Sequence, residues 1–371
     1  MATTFKTFLD DDIVSTRTLL HENIPLTGTV VSSSAYGTSS IKTYSHGMFQ
    51  SVYDYPYLSS SANQLFDLTA GQAVGSPGSS SLALDAFAKK KINIYNQMAQ
   101  VLVGYDTTGS IVQFDRDGDP ATTGDKYSSM FYFNFSRLLV KDEIKKGSFQ
   151  MTLMNGSSAT SVSSSTCLVS DASGTANYKI NSPAGEYGIL YASNFTGNNG
   201  SNPTASVGFV FYQAGVVALS TAIFAASGTN SPSTSMSSSQ FGQLATAAQM
   251  RGTSTTYTNV ETLFESGSIN DIGAALRQRI NNITFNNTTE LNSSIHFCRV
   301  NHNEFNYSAN PTYLSSSQIR VKNKSSDAPV SYITTVGLYS PDNELLAVAK
   351  LSEPLKKDPT QEMILRVRLD Y

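Results

Sequence analysis

The apolar and polar positions of this chain change period along its length, and each change marks an element. In residues 83–103 the side chains Phe87, Ile94, Met98, Val101 and Leu102 recur at spacings of three, four and seven, which puts them on one face of a helix. A second helix is predicted at 269–280, where Ile269, Ile272, Leu276 and Ile280 form the stripe. Ser268 stands there as N-cap with Asp271 three residues on, a variant of the capping box. Elsewhere the pattern is that of strands. Phe131, Tyr132, Phe133 and Phe135, followed by Leu138, Leu139 and Val140, read as a buried strand running into a charged turn at 141–146. Aromatic residues crowd 29–68, and Tyr and Phe favour strands. Shorter β-like runs occur at 149–154, 187–192 and 207–212. Beyond residue 292 they recur at 319–321, 332–338, 345–349 and 363–369, with Pro341-Asp342-Asn343 supplying turn chemistry between the second and third of these.

These elements predict an α+β chain that is mainly β, with antiparallel, sandwich-like sheets, a few helices at about 83–103 and 269–280, and a Ser/Gly-rich β insertion. At 371 residues the chain is long for one core. The expected organisation is an N-terminal arm at 1–28, a mixed main body formed by 29–147 and 241–371, and an insertion at 148–240 rich in Ser, Gly, Thr and Asn. The loose run GTNSPSTSMSSS at 228–239 bounds the insertion, and GQAVGSPGSSS at 71–81 has the composition of a flexible loop. The arm is the segment expected to reach a neighbouring protein.

Charge changes the picture more than length does. Charged residues make up 14% of the chain, below the roughly 25% usual in soluble domains, and polarity rests instead on hydroxyls and amides. Such a surface repels its neighbours weakly and loses little hydration when covered, as suits a subunit packed in an assembly. A net charge of −3 provides no field for gripping phosphates, so no nucleic-acid partner is expected. No run approaches the ~18 apolar residues that span a bilayer, and the start lacks a basic and an apolar region, so a soluble, unexported chain without a membrane span is expected. Cys167 and Cys298 form no CxxC pair and indicate neither a zinc ribbon nor a disulfide framework, consistent with folding in a reducing cytoplasm.

Candidate chemistry is sparse. Asp115, Asp117 and Asp119 alternate around Gly118, with Asp125 beyond, and alternating carboxylates at a glycine turn can offer oxygens to a hard cation. The glycine falls fourth and Lys126 occupies the twelfth position, so the loop is no EF-hand. An acidic solvated turn is the preferred reading. His296, Cys298 and His302 fall at even spacings and would share one face of a strand, but on a straight strand the two histidines lie about 20 Å apart, too far for one ion. Packing roles are preferred. In Tyr44-Ser45-His46 the adjacent Ser and His point to opposite sides of a strand and make no triad. No Walker loop or dinucleotide-binding glycine motif occurs. Lys89, Lys90 and Lys91 read as a solvated helix face. The sequons at Asn282, Asn286, Asn287 and Asn292 read as loop composition. No catalytic residue, metal or cofactor is expected.

The segment SYITTVGLYSPDNELLAVAKLSEPLKKDPTQEMILRVRLDY at 331–371, preceded by NHNEFNYSANPTYL, resembles a family of virion structural proteins of large contractile-tailed phages, those of marine cyanobacterial phages most of all. The stretches TFLDDDIVSTRTLLHENIPLTGT, YSHGMFQSVYDYPYLSSSANQLFDLT, KKINIYNQMAQVLVGYD and LLVKDEIKKGSFQ are similar to the same family, so the likeness covers most of the chain apart from the insertion. It implies a non-enzymatic virion subunit of the tail or baseplate region, assembled in the host cytoplasm and contacting other phage virion proteins in several copies. A neck, collar or head-decoration role is the alternative. A receptor- or glycan-binding tail module, with Tyr187, Tyr191 and Tyr212 stacking on sugars, is a further one. The physics of 334–350 fits a hairpin around residues 341–343. Leu365, Val367 and Leu369 alternate with Arg366, Arg368 and Asp370, giving a terminal strand with one apolar face.

Overall fold

The computed structural model describes residues 5–27, 38–76, 86–119, 126–154, 166–193, 205–224, 250–251, 256–257, 260–308, 314–315, 318–319, 324 and 326–371. The run at 228–239 and Asp125 lie outside them. The chain divides into a central unit, Leu20–Thr289, and a C-terminal unit formed by Met1–Leu19 and Glu290–Tyr371. Strand β1 (Ile13–Thr27) begins in the C-terminal unit and ends in the central one. The central unit then holds β2 (Ile41–Thr43), β3 (Gln50–Tyr53), β4 (Gln64–Gln72), β5 (Ser129–Phe135), β6 (Glu143–Ile144), β7 (Gln150–Met154), β8 (Thr166–Ser170), β9 (Tyr187–Ser193), β10 (Ala205–Phe211), β11 (Val216–Ser220) and the two-residue pair β12 (Met250–Arg251) and β13 (Thr256–Tyr257). Strand β14 (Ile280–Val300) passes from the central unit into the C-terminal one. There follow β15 (Leu314–Ser315), β16 (Gln318–Ile319), β17 (Ser331–Tyr339), β18 (Leu345–Lys357) and β19 (Met363–Asp370).

The central sheet runs in the order β14–β7–β8–β9–β10–β11–β5–β4–β3–β2, with every neighbouring pair antiparallel and β6 added on β14. The chain is thus α+β and mainly β, as its periodicity predicts. Both faces of the sheet are covered. Along β5, Phe131, Phe133 and Phe135 enter one apolar cluster while Met130 and Tyr132 enter another, which is why this strand reads as an unbroken apolar run instead of an alternating one. Strands β7 to β11 stand in the middle of this sheet. The segment expected as a separate Ser/Gly-rich insertion therefore supplies central strands, because its short apolar runs alternate toward both clusters and only the connections between them are polar.

Helix α1 (Ala86–Leu102) lies within the predicted 83–103, but its buried face is rotated from the predicted stripe. Ala88, Lys91, Ile92, Ile94, Tyr95, Ala99 and Leu102 are buried and Met98 packs against the core, so Ile94, Met98 and Leu102 of the predicted stripe face inward, while Phe87 and Val101 are exposed. Contact with β4 at Gly71 sets that rotation: a Cβ there would stand 2.7 Å from the Tyr95 backbone nitrogen. Lys91 is consequently not part of a solvated face. It is fully buried, and its ammonium donates to the carbonyls of Phe264 and of Gly267, the latter at 3.2 Å, at the end of α4 (Val260–Ser266). Two one-turn helices, α2 (Arg137–Val140) and α3 (Gly174–Asn177), sit in connections. Helix α5 (Ile269–Arg277) has the predicted cap. The Ser268 hydroxyl accepts from the Asp271 N–H at 3.1 Å, and Ile269, Ile272, Leu276 and Ile280 are buried.

Two further expectations change. The four sequon asparagines lie in β14, a 21-residue strand, and not in loops. Their polarity disguises a strand whose buried positions are Ile280, Ile283, Phe285 and Val300 together with small or amide side chains. Most of the expected N-terminal arm is β1, which neighbours β14.

In the C-terminal unit, the second half of β14 pairs antiparallel with β19 from Ser293 opposite Asp370 to Val300 opposite Met363. The backbones of Asn292 and Tyr371 exchange hydrogen bonds at 2.8 and 3.1 Å, closing the ladder. Strands β17 and β18 form the predicted hairpin as a two-stranded sheet of their own, turning at Asn343, whose φ is +63°. Residues 5–12 lie on their own unit: Phe5 packs at a tilt against Tyr339, Lys6 pairs with Glu304, and Asp12 pairs with Arg299. Lys357 is buried and gathers the carbonyls of His302 and Asp358 and the Asn306 side chain around its ammonium, at 2.7–3.2 Å.

Candidate functional site

The aspartate loop is assembled around its own backbone. Asp115 accepts from the Asp117 N–H at 3.2 Å and Asp117 from the Asp119 N–H at 2.9 Å, while Gly118 takes a φ of +74° to close the turn. Asp115 is 5% exposed and its second oxygen pairs with the Lys126 ammonium. Burial, with the hydrogen bond shared with the Asp117 carboxyl, holds Asp115 above the usual carboxylate range, and that shared hydrogen bond together with the Asp119 N–H holds Asp117 below it. Among the described residues no three His, Cys, Asp or Glu side chains converge as a metal would require. The cavity beside this loop, lined by Phe114, Asn181, Tyr187 and Phe211 among others, measures about 10 Å³, room for one water.

The histidines disperse in the same way. His296 packs its ring 5.4 Å from Phe8 and meets the Ser294 hydroxyl at 3.1 Å. His302 lies beyond the end of β14 and faces Glu362 at 3.0 Å. Cys298 is half-buried, its thiol pushed up by burial and by the Asp12 charge, and Cys167 is fully buried in the central unit with its thiol pushed up to about 12. Both are free thiols. His46 stacks on Tyr44 at 5.1 Å and its Nδ1 accepts from the Met48 N–H. Tyr187 and Tyr212 are buried: Tyr187 packs on Phe209 and Phe211 and donates to Asn181, so neither ring is a platform for a sugar.

The most constructed polar site is one that sequence reading passed over. Asp171, just after β8, is wholly buried. One carboxylate oxygen accepts from the Gly147 N–H at 2.8 Å and from the Tyr212 hydroxyl at 2.9 Å, and the other has no partner. Burial raises its pKa to about 6, the two hydrogen bonds offsetting part of the effect. A Cβ on Gly174 would come within 2.0 Å of the unpartnered oxygen, and one on Gly188 within 2.1 Å of the Tyr212 hydroxyl. The pair is thus walled in, with no path for a substrate. The sequence signal was there, an aspartate between a strand and a glycine in SDASG, but it matches ordinary loop composition.

What remains open to a partner is the surface of the C-terminal unit. Among the described residues, both apolar clusters belong to the central unit. Among its described residues the C-terminal unit buries three hydrophobic side chains, Val300, Leu338 and Val367. It exposes sixteen large ones, against ten on the much longer central unit. No family model, curated protein or solved structure matches this chain.

Proposed function

We propose that this chain is a structural subunit of a contractile-tailed phage virion, placed in the tail or baseplate region, assembled in the host cytoplasm and acting without catalysis through contacts with other virion proteins. The observation that carries an assembly role is the inverted surface of the C-terminal unit. A segment that, among its described residues, leaves sixteen large apolar side chains half in water and buries three gains little stability from them. Covering those side chains against protein supplies what it lacks. The low charge density supports the same reading, since few ionic groups would lose hydration in such contacts. No helix among the described residues is long and apolar enough to cross a membrane. The virion setting itself is supported by the resemblance of residues 331–371 and of the N-terminal stretches to phage structural proteins.

The test is compositional. Mass spectrometry of virions purified from the phage that encodes this chain should find it at a fixed copy number, and tails separated from heads should retain it. Its absence from virions would end the reading. Its presence on heads alone would move it to the neck or capsid.

A further inference from the structure

We infer that the C-terminal unit packs against the same unit of a second copy of this chain, through the hairpin face that carries Tyr339, Leu345 and Val348 together with Phe5. The inference deepens the assembly reading above and rests on it only for the setting in a particle. The face is a built one. Cross-strand register places Tyr339 opposite Leu345 and Gly337 opposite Val348. Phe5 packs against Tyr339 with ring centres 4.8 Å apart and the rings tilted by 59°. Gly337 leaves its own place empty, and a Cβ there would lie 3.0 Å from the Tyr339 ring and 3.2 Å from Leu345, so these side chains close over it into one surface. All four large side chains remain 46–52% exposed. An isolated two-stranded ribbon is marginal in water, and a further layer on an apolar face is what stabilises it.

The occupant follows from quantity and charge. The four large apolar side chains of this face, at about half exposure, amount to on the order of 400 Å², about half of the roughly 800 Å² each partner contributes to a standard interface and in keeping with the apolar share of such a patch. The unit carries eleven Lys and Arg against twelve Asp and Glu, so it offers no field that selects a strongly charged partner and none that repels a copy of itself. The hairpin is nonetheless polarised. Asp342 and Glu344 are at its turn, whereas Lys350 and Lys356 lie along its stem with Glu353 between them. Two hairpins laid antiparallel about a twofold axis set each acidic turn beside the other copy's basic stem.

The experiment uses the full chain in solution, with mass measured by light scattering and sedimentation over a range of concentrations. The expected result is a multiple of 39.9 kDa. Leu345→Lys with Val348→Lys, both on the exposed face, should weaken association by at least ~100-fold. A wild-type chain that stays at 39.9 kDa overturns the inference, whatever other protein or bilayer then binds the face. A double variant that associates as the wild type does also overturns it. Should that variant fold poorly, hydrogen exchange on the wild type decides: amides of 331–357 must become more protected as concentration rises, and no change rejects the pairing. Presence or absence in virions leaves each of these readouts unmoved.

Discussion

A Cβ on Gly71 would stand 2.7 Å from the backbone nitrogen of Tyr95 and 3.0 Å from the carbonyl oxygen of Lys91, so helix α1 rests on β4 almost backbone to backbone. Nothing at that contact is the free end of a side chain that could swing away. Gly71→Ala must therefore lift the helix from the sheet, disturbing Tyr95 and Ala99 together. A loss of about 3 kcal/mol is expected in urea unfolding. A loss below about 1 kcal/mol would mean that the helix slides freely on the strand.

The same helix carries a second constraint. The Lys91 ammonium reaches the carbonyls of Phe264 and Gly267 with no exposure to water, which satisfies acceptors at the end of α4. Lys91→Met keeps the stem and removes the donor, leaving buried carbonyls unpaired. Destabilisation by about 2 kcal/mol is expected from thermal or urea unfolding. An unchanged or raised midpoint would show that the charge is only tolerated there.

At α5 the expected effect is smaller and local. Ser268 caps the helix by accepting from the Asp271 N–H, and its hydroxyl donates in turn to the Asp271 carboxylate at 2.7 Å. Ser268→Ala should cost about 1 kcal/mol, while Ser268→Thr, which keeps a hydroxyl to accept from the Asp271 N–H and donate to its carboxylate, should recover most of it.

The capping box was legible because it is written within four consecutive residues. Strands β5, β9, β10, β17 and β19 were legible because their apolar runs or alternations are local too. The rotation of α1 was not, since it depends on Gly71, which belongs to another element and reads as loop composition. β14 was hidden for a related reason. Asn282, Asn286 and Asn287 carry the polarity of a loop, and Asn287 earns its place only through distant bonds, its amide donating to the Leu139 carbonyl at 2.9 Å and its oxygen accepting from the Glu22 N–H at 3.1 Å. The inward turn of Asp115 likewise depends on Lys126 across the loop.

Asp171 gives the chain a measurable dependence on pH. In the unfolded chain its carboxyl titrates near 3.8, and in the folded chain burial raises it to about 6. Between those values the native state holds a proton that the unfolded chain has released, so native stability rises as pH falls through the window. Above pH 6 the full cost of an ionised carboxylate in a dry site applies, about 3 kcal/mol for a shift of this size. Asp171→Asn keeps an oxygen to accept from the Gly147 N–H and the Tyr212 hydroxyl, and it cannot ionise. The variant should therefore be more stable than the wild type at pH 7, and the difference should shrink toward pH 4. Because every other titrating group is common to both proteins, subtracting their unfolding free energies isolates this carboxyl. A difference that stays constant across the window would mean that Asp171 enters the folded state already ionised and that the Tyr212 hydroxyl suffices to hold it so.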